Sequence, residues 1–157
     1  MRAGFPFFFI AAFLPQLALA AEPTGEWVVA SKKAHIRIVD CAGVLWGVVS
    51  WQQNPGGLDA KNPDPAKRRR PTLGMPVLMD LKAKGPNRWD GALYNSNNGK
   101  TYTGGITVVA PNLVRVRGCV LGFLCGGEDW TRVEDAGQPD KDSAAICKAM
   151  GSAPSLD

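Results

Sequence analysis

The sequence predicts an all-β domain: eight short antiparallel strands in up-and-down order, closed as a barrel, with a short C-terminal tail that has room for one helix. Three observations lead there. Apolar and polar residues alternate over short runs, as on a strand whose successive side chains face opposite ways. Breaker-rich turns of a few residues separate those runs. No segment before residue 135 has helical periodicity.

In order, strands are expected at residues 27–30, 35–40, 44–51, 77–81, 89–94, 102–109, 113–119 and 129–133. Ile36 and Ile38 share a face opposite Arg37. Val114 and Val116 share one opposite Arg115 and Arg117, and Tyr102, Ile106 and Val108 share another. Ser31-Lys32-Lys33, Gly85-Pro86-Asn87, Asn97-Asn98-Gly99 and Pro111-Asn112 are turn sequences. Closure removes the exposed edges of an open sheet; a β-sandwich is the alternative. Gly91, Gly104 and Gly118 fall on the inward face, where glycine fits tight curvature or close backbone approach. An eight-stranded barrel is just wide enough to be packed solid or to hold one small ligand. The residues alone do not choose between these.

One connection departs from the short turns. Residues 57–74 read GLDAKNPDPAKRRRPTLG. Irregular loops beyond roughly 12 residues are uncommon in compact domains unless they are functional or disordered. This one gathers Asp59, Asn62 and Asp64 as acceptors, and Arg68 and Arg70 as planar forks that grip carboxylate or phosphate. The same groups suit a loop that braces itself against the barrel rim, with Pro63, Pro65 and Pro71 stiffening it, and that use is favoured. Trp46, Trp51, Trp89 and Tyr94 are candidates for a cavity mouth, where flat rings suit an apolar or sugar-like ligand; core packing is the commoner role.

Hairpin turns in a meander alternate between the two barrel ends, and this constrains the four cysteines. Cys41 follows the second strand at one end, and Cys119 and Cys125 flank the seventh turn at the other. A Cys41–Cys119 bridge would have to cross most of the barrel, far beyond the Cα separation of about 7 Å that a disulfide tolerates. Cys119–Cys125 and Cys41–Cys147 are therefore expected, the second tying down a short helix over residues 142–150. No Cys-x-x-Cys spacing marks a redox or zinc site.

Residues 1–20 have the charged start (Arg2), apolar run and Ala18-Leu19-Ala20 exit of a secretory signal. Pro6 and Pro15 leave less than the roughly 20 apolar residues of a spanning helix. Cleavage after Ala20 would leave 137 of the 157 residues as a barrel domain (21–134) and a tail (135–157), soluble and periplasmic or secreted. The exported part carries 17 basic and 14 acidic residues, a net charge of +3. Arg68-Arg69-Arg70 could contact phosphates, but such basic residues before Pro71 are more often a solvated loop. The stacking aromatics and broad basic face of a nucleic-acid binder are missing, so no nucleic-acid partner is expected.

Several spaced motifs coincide: Gly25-Glu26-Trp27, Ile36-Arg37-Ile38-Val39-Asp40-Cys41, Leu45-Trp46-Gly47, Asp59 with Asn62-Pro63-Asp64 and Arg68-x-Arg70-Pro71, Trp89-Asp90-Gly91, Tyr94, Gly99-Lys100-Thr101-Tyr102, Val116-Arg117-Gly118-Cys119 and Trp130-Thr131-Arg132. Over residues 25–133 the chain resembles the bacterial exported family named "domain of unknown function 2147". That resemblance implies a lipocalin-like (calycin-type) barrel outside the cytoplasm with no established activity. In the family's pattern a second Cys often stands where this chain has Trp46; its absence, with the extra Cys147, implies a relocated bridge. Trp27 and Arg132 resemble the lipocalin pair in which a last-strand Arg covers a first-strand Trp, a barrel-closing device.

An enzyme is weakly supported. His35 is the only histidine, which rules out a His-rich metal site. No Gly-x-Ser-x-Gly elbow or phosphate-cradling loop occurs. Nothing pairs two carboxylates across a cleft. No cofactor or metal is expected. The leading expectation is a binder of a small amphipathic or acidic envelope molecule; the alternative is a filled barrel acting as a structural or protein-interaction factor of the envelope.

Overall fold

A computed structural model of the protein describes residues 22–134 and 139–151. The expected export signal lies outside the described residues, as do tail residues 135–138 and 152–157. Eight strands form one closed barrel in sequence order: β1 (Gly25–Val28), β2 (Ala34–Cys41), β3 (Val44–Gln52), β4 (Pro76–Gly85), β5 (Arg88–Asn95), β6 (Lys100–Ala110), β7 (Leu113–Val120) and β8 (Leu124–Arg132). All neighbours are antiparallel, and β1 returns to β8 through Trp27↔Arg132 and Val28↔Thr131.

Most strands fall within one or two residues of expectation, β1 lying two residues earlier, but two extend much further. β4 runs on through Lys82-Ala83-Lys84, and β8 begins at Leu124 rather than residue 129, taking in Gly126-Gly127. Neither stretch has strand-forming residues; the ladders of β5 and β7 hold them in line. Local preference yields to pairing there.

Because the turns alternate, one end of the barrel carries the connections at 29–33, 53–75, 96–99 and 121–123, and the other carries 42–43, 86–87 and 111–112. The second end is solid. Trp27, Ile38, Leu45, Leu81, Ile106, Val108 and Val114 pack into one buried cluster, each at most 4% exposed. Closure is sealed at Trp27, whose indole Nε1 donates to Pro23 O at 2.9 Å. The Arg132 guanidinium lies 4.2 Å over its ring and donates to the carbonyls of Pro111 and Thr24, both at 2.8 Å. Gly25, at φ +122°, leaves room for that guanidinium, since a Cβ there would come within 2.6 Å of Arg132 Nη1.

The outer surface carries a smaller apolar cluster. Leu78 and Leu93 face inward, so Met79 and Tyr94 face outward by alternation, and they bury with Met75 against Trp46 and Ala92. The long connection therefore folds back along the outside of β3–β5. The helix α1 (Pro139–Gly151) rests against β2 and β3, where Cys147 is bonded to Cys41 with their Cα atoms 5.4 Å apart. Cys119 and Cys125 face each other in the β7–β8 ladder and form the second bridge, Cα atoms 4.0 Å apart.

Candidate functional site

At the end opposite the packed core the barrel is hollow. A cavity of about 860 Å³ opens between the four connections at that end. Its floor is apolar: Ile36, Val49, Leu78, Leu93, Val116 and Trp130. Ile36, Val49, Leu78 and Val116 lie nearer the mouth than the packed Ile38, Leu45, Leu81 and Val114 of the same strands. The β7–β8 wall is thinned by Gly118 and Gly126, and a Cβ on Gly126 would meet nothing within 4 Å. Gly104 cannot take one, because it would collide with the Arg117 carbonyl; the barrel's tight bend and its hollow both depend on small residues.

Polar groups ring the mouth: Gln52, Asn54, Asn95, Asn97 and Lys33. Among the described residues Glu128 is the one carboxylate in the wall; it stands opposite Val116 in register and accepts a hydrogen bond from Trp130 Nε1 at 2.5 Å. A pocket of this size, apolar below and polar at its rim, is the usual form of a small-ligand site, for which about 300–1,000 Å³ is typical. Among the described residues no group of three or more His, Cys, Asp or Glu gathers to hold a metal.

Residues 25–132 match the sequence pattern of a family described as "Uncharacterized protein conserved in bacteria", DUF2147. The chain belongs to this family. Among solved structures it is similar to protein HP1028 from the human pathogen Helicobacter pylori, which belongs to the lipocalin family. The two share 19% identity over 80% of this chain and 89% of the other, with a TM-score of 0.66. At that identity the likeness establishes the lipocalin-like fold alone. No curated protein matches the chain. No helix among the described residues is long and apolar enough to cross a membrane. That and the two disulfides are consistent with an exported DUF2147 protein.

Gly57, Leu58 and Thr72 of the long loop line the cavity of this DUF2147 barrel, but the charged residues singled out in that loop do not. Of Asp59, Asn62, Asp64, Arg68, Arg70, Trp51, Trp89 and Tyr94, Tyr94 alone lines the cavity. Asp59 is fully buried. Its Oδ1 accepts from the Tyr94 hydroxyl at 2.6 Å, and its Oδ2 accepts from Asn62 Nδ2 at 2.7 Å and from Arg70 Nε at 2.9 Å. The backbone doubles the link, with Asp59 N donating to Arg70 O at 3.1 Å. Arg68 Nε donates to the Asn62 carbonyl at 2.8 Å, and Asp64 caps a one-turn 3-10 helix (Pro65–Lys67) through Ala66 N. The side chains of Asp59 and Asn62 are thus spent on one another, on their own loop and on Tyr94. Lys61 Nζ reaches Asn97 O at 2.6 Å, tying the loop to the β5–β6 turn at the mouth.

Trp89 packs against the core cluster on the inside. Trp51 is 45% exposed and leans on His35, ring centroids 4.7 Å apart. Sequence reasoning missed what lies beside that pair. Glu26, 6% exposed, accepts from Arg37 Nε at 2.7 Å and from the Ser50 hydroxyl, with His35 Nδ1 at 3.6 Å. This outward staple joins β1, β2 and β3. Alternation does place Glu26, Arg37 and His35 on one face, but a buried carboxylate leaves no mark in one sequence.

Tyr94 supplies a pH signature. Burial, then the hydrogen bond and charge of Asp59, raise its pKa from the ordinary 10.0, against smaller opposing effects of Asn62 and Arg70. A phenol whose folded pKa is raised stabilises fully below its unfolded pKa, and that stabilisation is lost as pH climbs through the folded value. Urea midpoints measured from neutral pH upward are expected to fall beyond about pH 10, and Tyr94→Phe should fall less steeply there. Parallel curves would remove Tyr94 from the linkage.

Proposed function

We propose that this protein is an exported carrier that holds one small amphipathic molecule in the hollow half of its barrel. The apolar floor beneath a polar mouth is the observation that supports this. The apolar part of the ligand fits against Ile36, Val49, Leu93 and Val116, worth roughly 25 cal/mol per Å² removed from water. Its head lies toward the mouth, where Lys33 and the Gln52, Asn54 and Asn95 amides offer hydrogen bonds and Lys33 a positive charge. Glu128 keeps an acidic head out of the depths of the cavity, so an acid binds head-outward. The loop from Asp59 to Arg70 serves as the brace that fixes the rim. A filled barrel acting through its surface alone fits the cavity poorly.

The test fills the space. Gly126→Phe adds a ring where a Cβ meets open space and the backbone needs no positive φ. A fluorescent fatty acid should bind the native protein, and binding should weaken by at least tenfold in the variant while its Tm stays within a few degrees. Equal binding by both would place the probe elsewhere and defeat the carrier role.

A further inference from the structure

The hairpin joining β7 to β8 is built against the ordinary rule for a surface turn. Leu121, Phe123 and Leu124 are 80%, 72% and 61% exposed, and Val120 is 43% exposed. Leu121 and Gly122 sit at φ +54° and +79°. The left-handed region is costly for leucine, and no described residue covers the Leu121 side chain in return. The Cys119–Cys125 bridge clasps the base of this apolar tip, so the tip is held out rather than allowed to collapse.

Its surroundings select among partners. At the same end stand the exposed lysines Lys32 and Lys33 on the β1–β2 turn, Lys61 on the long loop and Lys100 at the start of β6. The acids on the connections there are Asp59, buried and paired with Arg70, and Asp64, which meets Lys67 at 3.5 Å; Glu128 lies in the cavity wall and accepts from Trp130 Nε1. The opposite end mixes exposed Asp40 and Glu134 with Lys84 and Arg88. An apolar tip among uncompensated lysines matches a surface that is negative outside and apolar just below. Those are the two terms that drive interfacial membrane binding.

We infer that the open end of the barrel docks on an anionic phospholipid bilayer, inserting Leu121, Phe123 and Leu124 between headgroups while the lysines engage phosphates. The cavity mouth would then face the membrane, a short path for an amphipathic ligand. Docking borrows its purpose from the carrier role proposed above, but its chemistry is separate.

Co-sedimentation of the oxidised, exported protein with vesicles of phosphatidylglycerol and phosphatidylethanolamine tests this, with phosphatidylcholine vesicles as the neutral control. Binding is expected on the anionic vesicles, weaker on the neutral ones. It should drop by on the order of tenfold in Leu121→Ser/Phe123→Ser and in Lys32→Glu/Lys33→Glu, and persist in Gly126→Phe. The serine variant should still take up the fluorescent fatty acid, which certifies its fold. No binding to anionic vesicles overturns the inference. So does equal binding by the serine variant, self-association through the tip without vesicle binding, or binding lost only in Gly126→Phe. Vesicle binding without uptake of the probe by the native protein would instead remove the carrier role and leave docking intact.

Discussion

Replacing Asp59 with alanine is expected to cost about 3–5 kcal/mol of stability, the range for removing one partner of a buried ion pair. The reason lies in what remains. Arg70 is held near Tyr94, its guanidinium 5.5 Å from the ring, and both were donors to the lost carboxylate, as was Asn62. Tyr94 and Arg70 lose an acceptor and Asn62 one of two. Tyr94 and Asn62 are buried, where an unmet group costs about 1–3 kcal/mol, while Arg70 keeps part of its side chain in water. Asp59→Asn keeps one acceptor oxygen and should cost less. Thermal unfolding should report a Tm lower by about 10 °C, and limited proteolysis should find new cleavage within residues 57–74. An unchanged Tm with an uncut loop would show that the loop is held by its prolines and backbone bonds instead.

Trp27→Ala is the second large effect. The side chain is fully buried at the barrel seam, and truncating a buried tryptophan costs about 3–5 kcal/mol through lost burial and the cavity left behind. It also strips the Arg132 guanidinium of the ring beneath it. Burial already lowers the Arg132 pKa, against the opposing pull of Glu22, so the ring's negative face offsets part of a desolvation cost. Urea unfolding of Trp27→Ala, Arg132→Ala and the double variant should reveal a coupling of about 0.5–2 kcal/mol. Strict additivity would reduce the stacking to mere proximity.

The barrel was legible because its cause is local: Ile36/Ile38 and Val114/Val116 alternate, and glycine- and asparagine-rich turns leave little freedom in how neighbouring strands pair. Hairpin alternation likewise puts Cys41 within reach of the tail, far from Cys119. The hollow was not legible. Ile36, which floors the cavity, and Ile38, which packs, are the same residue type on the same face, two positions apart. What separates them is how many small residues, such as Gly118 and Gly126, gather at one level from strands distant in sequence. The prominent loop drew attention through its charge, yet Asp59 and Arg70 satisfy each other. The pocket itself is lined by residues that single-sequence reasoning assigns to core.

The Cys41–Cys147 bond spans 106 positions, so everything from the second strand to the final helix is one covalent ring. A single backbone nick anywhere inside that circle leaves an unbroken molecule until a reductant opens it. Cleavage after Ala20, as expected from the sequence, would fall upstream of the ring and leave it intact.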